Sequence, residues 1–230
     1  MPINGMTRAA HALHYYERRQ EVVANNLANA DTDGFKAERV FAQMVEGAIP
    51  VANTETDLTA GTLKQTGGKL DLALGGPGFF VMQTADGEQL TRGGSFQLDA
   101  DGRMVDANGN AILGEGGEIV LPPGQVVIDD SGIVRVDGQE IDRLRIERVP
   151  EGTDLTHAGA NLFLPDPGRE SVPLADRTVR QGYVETSNVS TIESLVDMIS
   201  IQRAYSAVQK TVTTLDSIRQ TISNDLGKPV

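Results

Sequence analysis

Two of the chain's three histidines, His11 and His14, stand three apart on a helical stretch. An i, i+3 imidazole pair can hold a zinc ion when further ligands complete a tetrahedron. Only Glu17 and Glu21 are near, so the pair reads as exposed helix surface. Asp99-Ala100-Asp101-Gly102 opens like a calcium loop but lacks the remaining ligand spacing and the closing Glu of an EF-hand, and a hairpin turn accounts for it. Gly75-Gly76-Pro77-Gly78 is followed by no Lys-Ser/Thr pair and is no phosphate loop. Gly93-Gly94-Ser95-Phe96 lacks the Gly-x-Ser-x-Gly of a nucleophile elbow. Asp129-Asp130 sits in a turn with Ser131-Gly132 and has no partner for paired-acid chemistry. There is no Cys, which excludes thiolate catalysis and Cys-ligated metal. The expectation is therefore no catalytic residue, no metal, no cofactor and no enzymatic activity.

Composition narrows the remaining classes. The 230 residues are 39% hydrophobic and 23% charged, enough for a real core in one or two domains. Aromatics make up only 4% and Trp is absent, so the core is mainly aliphatic. A net charge of −12 argues against nucleic acid, whose phosphates need a basic face, and against electrostatic binding to anionic lipid. No apolar run approaches the roughly 20 residues that cross a bilayer, so direct membrane insertion is not expected. The stretch Met1 to Tyr16 has no apolar core of the signal-peptide kind, so export, if it occurs, is expected by another route.

The elements that dominate the chain are its two ends. From Ser190 to Leu226 there is neither Gly nor Pro, and apolar residues recur in steps of three and four: Met198, Ile201, Tyr205, Val208, Val212, Leu215, then Ile222 and Leu226, with Arg219 the only break. This is a heptad seam over about four heptads. Ser190 and Glu193 make a capping box at its start, and Gly227 and Pro229 are its stop. Roughly 36 residues at ~1.5 Å rise give a rod of ~50 Å. The first helix is expected from an N-cap at Asn4 to about Asn29, with a stripe of Met6, Ala9, Leu13, Tyr16, Gln20, Val23, Leu27 and Ala30. That seam is small and partly polar, so it should gain order only by packing on other helices. Two heptad helices at opposite ends predict a shared bundle, within one chain or between subunits.

Between them the period changes. Asp31-Thr32-Asp33-Gly34 is turn chemistry, Phe35 to Val45 a short extended or helical piece, and Ile49 to Thr66 a Thr/Ala/Gly-rich connector. Leu70, Leu72 and Leu74 alternate as in a strand, and Phe79-Phe80-Val81-Met82 reads as a buried one. Short strands follow around 95–98, 103–106, 111–113, 118–121, 126–129, 133–136, 143–149 and 161–164. Asp101-Gly102, Asn108-Gly109, Ser131-Gly132 and Asp137-Gly138 punctuate them as hairpin turns. The middle is predicted to be all-β, a sandwich or partly open barrel that folds by itself.

Certain motifs resemble a known family. Ala24-Asn25-Asn26-Leu27-Ala28-Asn29 followed by Thr32-Asp33-Gly34-Phe35-Lys36 is similar to the N-terminal signature of the bacterial flagellar rod and hook proteins. Gly78-Phe79-Phe80-Val81 and Thr91-Arg92-Gly93-Gly94-Ser95-Phe96 resemble segments of their β domain. Gly182-Tyr183-Val184-Glu185-Thr186-Ser187-Asn188-Val189 and the run with Gln202, Arg203 and Tyr205 resemble their C-terminal signature. Gly93 and Pro77 depart from the family pattern. Within the family the resemblance is to the proximal rod member first and the distal one second.

The expectation is thus an α+β chain: an N-terminal heptad helix over 1–30, an extended connector over 31–68, a β domain over 69–164, a return connector over 165–189 and a C-terminal heptad helix over 190–230 in the same coiled-coil-like bundle. The resemblance implies a structural rod subunit, exported through the flagellar type III apparatus and polymerising helically with copies of itself and neighbouring rod and hook proteins. Its assembly interface is expected at Met6, Leu13, Tyr16, Val23, Leu27, Met198, Ile201, Tyr205, Val208, Val212, Leu215 and Ile222. A second reading, a secreted β-domain binding module with a helical dimerisation stalk, predicts a small closed oligomer instead.

Overall fold

A computed structural model describes residues 5–43, 51–150, 152–159 and 161–226, with side chains described up to residue 221 of the last helix. Asn4, Met44, Val45, Gly227 and Pro229, and the side chains of Ile222 and Leu226, lie outside the described residues. The chain is α+β and divides into two compact units, one of residues 1–28, 38–55 and 190–230, the other of residues 29–37 and 56–189.

The first unit holds helix α1, Gly5–Ala28, a two-stranded sheet of Glu38–Gln43 and Val51–Thr56, and helix α2, Thr191–Leu226. Ser190 caps α2: its hydroxyl accepts from the Glu193 amide at 3.4 Å and its carbonyl from the Ser194 amide at 2.9 Å. The helices run antiparallel. The Tyr205 hydroxyl donates to Glu17 at 3.0 Å, and further along, Arg219 lies against the sulfur of Met6. The residue that interrupts the apolar seam in the sequence therefore meets the start of α1. Among the described residues, the most enclosed side chains of this unit are Val22, Asn26 and Ile201.

The stretch read as a connector between α1 and the β domain is largely strand. Glu38–Gln43 and Val51–Thr56 pair with each other, and Leu63–Gln65 pairs with Tyr183–Glu185. The return segment likewise contributes Glu170–Ser171, Val179–Gln181 and Tyr183–Glu185 to sheets. These strands are short and carry few large apolar residues, Val179 and Val184 being the buried ones among the strands of the return segment.

In the second unit a ten-stranded sheet is built around Phe79–Thr84, which pairs antiparallel with Gly87–Thr91 and with Ala111–Gly114. Ile146–Arg148 extends the pairing at Phe79 and Phe80. Side chains alternate across a strand, and here both faces are covered. Phe80 and Met82 join a core with Ile112 and Leu144, together with Ile128, Val134 and Val136 of a separate three-stranded sheet. Phe79 and Val81 join a second cluster with Leu90, Leu113, Leu155 and Phe163. A ten-stranded and a three-stranded sheet thus contribute side chains to one core. The alternation read from Leu70 to Leu74 is not present: Leu72, Ala73 and Leu74 are all buried, because Val179–Gln181 pairs along this strand and Gly94 presses on Leu72. A Cβ at Gly94 would stand 1.7 Å from the Leu72 carbonyl oxygen.

Three hairpin turns share one plan. Oδ1 of Asp99 accepts from the amides of Asp101 and Arg103 at 2.9 and 2.8 Å. Asp106 does the same with Asn108 and Asn110, both at 2.8 Å, and Asp129 with Ser131 and Ile133, both at 3.1 Å. In each, the fourth residue is a glycine whose amide donates back to the Asp carbonyl. Gly102, Gly109 and Gly132 have φ of 80, 84 and 84°, the left-handed region that glycine reaches without a Cβ clash. This explains why Asp99-Ala100-Asp101-Gly102 looks like the start of a calcium loop: its first carboxylate is committed to backbone amides.

Candidate assembly interface

The predicted seam lies along the contact between the two helices of the first unit. Ile201 is buried, and Met198, Tyr205, Val208, Val212 and Leu215 are half-buried, as are Met6, Leu13, Tyr16, Val23 and Leu27 on α1. Within one chain the two helices pack against each other, linked at Tyr205 to Glu17 and at Arg219 to Met6. The stripe on α1 is wider than a heptad seam, reaching Val22 and Asn26, because the Glu38–Gln43 strand covers that side. The Asn26 amide donates to the Glu38 carbonyl at 2.8 Å and accepts from the Glu38 amide at 2.9 Å, the two bonds a strand partner would make. Sequence reasoning marked Asn26 as a motif residue; the structure supplies its reason.

A second apolar face on α2 was not recognised from the heptad pattern. Ile192, Leu195, Val196 and Ile199 are 77, 47, 57 and 51% exposed, and their spacing of three, four and seven puts them on one stripe. Gln202 and Arg203, exposed motif residues, continue it. A helix with two apolar stripes, one covered within the chain and one open, carries more apolar surface than a monomer needs. The histidines do no comparable work: His14 Nδ1 lies 3.2 Å from Glu17 on the exposed surface of α1, and His11 is also exposed.

Most of the remaining motif residues serve the second unit from within. Asn29 accepts from the Thr32 amide at 3.0 Å through its carbonyl and from the Thr32 hydroxyl at 3.2 Å through its side chain. Gly34 has φ of 70°, and a Cβ there would stand 2.2 Å from the Arg92 carbonyl carbon. Phe35 is buried with its ring 5.6 Å from that of His157. The Gly78 backbone, at φ 128°, turns the chain into Phe79 and Phe80. Gly182 donates to the Asp71 carbonyl at 2.8 Å and accepts from the Thr66 and Gly67 amides. The Ser187 hydroxyl accepts from the Val189 amide at 3.1 Å, and the Asn188 side chain bonds the Ala37 amide and the Asp57 carbonyl, both at 2.8 Å. Asn25 is exposed on α1. Gly93, a departure from the family pattern, has its reason nearby: a Cβ there would meet the Asn161 amide nitrogen at 2.1 Å, and that amide donates to the Asp33 carbonyl.

Comparison with known proteins agrees with this distribution. Residues 6–36 match the model of the flagella basal body rod protein family, residues 73–136 the flagellar hook protein FlgE/F/G D1 domain, and residues 180–225 the flagellar basal body rod FlgEFG protein C-terminal region. The chain is 32% identical over 227 residues to the flagellar basal-body rod protein FlgF of Caulobacter vibrioides, covering 92% of this chain and 93% of that one. It is 36% identical over 239 residues to the flagellar basal-body rod protein FlgG of Buchnera aphidicola subsp. Schizaphis graminum, covering 88% and 92%. With FlgF of Salmonella typhimurium it shares 31% over 222 residues, covering 86% and 88%. The chain belongs to the flagellar basal-body rod protein family. It is a structural protein of the flagellar basal body.

Proposed function

We propose that this chain is an axial subunit that polymerises helically into the rod, with the exposed stripe of α2 as its contact with neighbouring subunits. The observation that carries this reading is the pair of apolar faces on α2. The seam through Ile201 holds the helices together in a coiled-coil-like pair, and the stripe from Ile192 to Ile199 remains for another molecule. A contact between different surfaces of successive subunits does not close on itself and generates an open helical assembly, whereas a dimerisation stalk would bury one face symmetrically. Its neighbours are then copies of itself and other rod and hook proteins. Export through the flagellar type III apparatus to the periplasm follows from the same reading, and the absence of Cys is compatible with passage of an unfolded chain. Alignment lengths support a FlgF-type, proximal member. The FlgG alignment runs over 239 positions while covering 88% of this chain, against 227 positions and 92% for FlgF, so it carries more gaps.

The test is Ile199→Asp in cells lacking the native copy. The side chain is exposed, so the purified variant should melt within about 2 °C of wild type, as surface substitutions do. The cells should be non-motile and their basal bodies lack complete rods. Full-length rods containing the variant would remove the stripe from the interface. Ile201→Asp serves as the contrast: Ile201 is buried in the seam, so a charge there should cost several kcal/mol and unfold the helical pair before assembly.

A further inference from the structure

Three buried charges meet in the second unit, and they come from three distant parts of the chain. Lys36 Nζ donates to Glu185 Oε1 at 2.5 Å and to the Thr59 carbonyl at 2.6 Å. Arg92 Nη1 stands 3.4 Å from Glu185 Oε2, and its Nη2 donates to the Gly76 carbonyl at 2.9 Å. The side chains of Lys36 and Glu185 are 0% exposed and that of Arg92 is 7% exposed. The Gly61 amide donates to Glu185 Oε1 at 2.9 Å, and the Glu185 carbonyl accepts from the Gly34 amide at 2.7 Å. Two cations thus share one carboxylate, 149 residues from Lys36 along the chain.

The order of these residues matters. Without the segment 183–188, closing this region would enclose Lys36 and Arg92 without the carboxylate that contacts both, and two like charges in a dry interior oppose closure by desolvation and by mutual repulsion. Burial holds the Lys36 pKa below the ordinary lysine value, while Glu185, through a hydrogen bond and its charge, and more weakly Asp57, through its charge, work against that shift. The segment that delivers the carboxylate has a prepared seat. The Thr186 amide donates to the Thr62 carbonyl at 2.9 Å, and Gly61 lets the chains touch: a Cβ there would stand 1.9 Å from the Thr186 carbonyl oxygen. Asn188 then ties the seat to both strands of chain before it, through the Ala37 amide and the Asp57 and Thr59 carbonyls.

We propose that Glu185 is a latch: the β unit closes only when the segment Tyr183 to Asn188 docks and places its carboxylate between Lys36 and Arg92. A chain made from its N-terminus holds both cations long before the anion exists, so the unit stays unlocked until nearly the whole chain is present. The inference is independent of whether, or how, the protein polymerises.

The test compares the full-length chain with Glu185→Gln and with Lys36→Met/Glu185→Gln by native-state proteolysis. Glu185→Gln keeps the shape and removes the charge; it should be cleaved at least tenfold faster or fail to fold. The double variant removes one cation with the anion and should recover most of the resistance, since Arg92 keeps its backbone acceptors. Glu185→Gln cleaved within twofold of wild type would overturn the latch. A double variant as open as the single one would also overturn it, because packing and not charge would then be responsible. Pulse-labelled hydrogen exchange during refolding of wild type gives the timing: the Gly34 and Gly61 amides should become protected in the same phase as Phe79–Thr84 and Gly87–Thr91. Protection of those strands in a separate, earlier phase would show that they close without the latch.

Discussion

At the scale of single residues, the acidic β unit is held by carboxylates with defined jobs. Glu88 and Glu147 alternate with Arg145 and Arg169 in a closed ring. Arg145 reaches Glu88 at 2.7 and 3.0 Å and Glu147 at 2.7 Å, while Arg169 reaches the same two acids at 2.7 and 2.6 Å. Bidentate guanidinium–carboxylate geometry and a shared network distinguish this ring from isolated surface pairs. The hydrogen bond from Arg145 holds the Glu88 pKa below the usual carboxylate value, overcoming its partial burial. A carboxylate with a depressed folded pKa stabilises the fold above its unfolded pKa of about 4.3, and that contribution is lost as pH falls through the folded value. Glu88→Gln is therefore expected to lower stability by roughly 1 kcal/mol at neutral pH. The gap from wild type should shrink steadily below about pH 4.5. Urea melts of both proteins across that range check it; a gap independent of pH would mean that the carboxylate's charge contributes nothing.

At the scale of elements, α1 and α2 are unevenly anchored. Val22, Asn26 and Ile201 are enclosed, and Asn26 is bonded twice to the Glu38 backbone. Toward its C-terminal end α2 runs through Thr211-Val212-Thr213-Thr214, a β-branched stretch of modest helix propensity. There the Thr211 hydroxyl donates to the Ala207 carbonyl at 3.0 Å, Thr214 to Lys210 at 2.8 Å and Thr221 to Ser217 at 3.0 Å. Such back-bonding competes with the helix's own hydrogen bonds and bends it. Hydrogen exchange on the dilute monomer should show the slowest helical amides around Val22 to Asn26 and around Ile201, with protection falling by about tenfold or more beyond Thr211. Uniform protection from Thr191 to residue 221 would contradict this gradient.

At the scale of the whole molecule, almost all of the net charge of −12 falls in residues 29–37 and 56–189, while the helical unit is close to neutral. Like charge opposes the close approach of two such β units, which fits the proposal that the helices make the contacts between subunits. The β unit also draws on more chain than its strand pattern suggests. A fragment of residues 69–164 lacks Val172 and Val179 of the main core, the Leu63–Gln65 and Tyr183–Glu185 pair, and Arg177, which donates to the Val172 and Leu144 carbonyls at 2.8 Å. That fragment is expected to show no cooperative melt, and residues 29–189 to melt cooperatively. Calorimetry on the two pieces decides, and a sharp transition in the shorter one would show that its core is sufficient.

What could be read along the sequence is what local physics writes there. The two helices follow from apolar residues recurring every three or four positions, the hairpin turns from an Asp bonding amides two and four residues on, and the Phe79–Thr84 strand from the apolar run Phe79-Phe80-Val81-Met82 at its start. The motif residues Gly34, Gly182 and Asn188 could also be picked out, but not why each is needed. Which stripe of α2 is covered and which is open could not be read, because both repeat with helical spacing; only the position of α1 separates Ile201 from Ile199. The weak connectors became strands, and Lys36, Arg92 and Glu185 became a cluster, through pairings across large gaps in the chain. Pairings of that kind are chosen by the tertiary fold, since backbone hydrogen bonds and buried charges carry no periodic signature in the residues that make them.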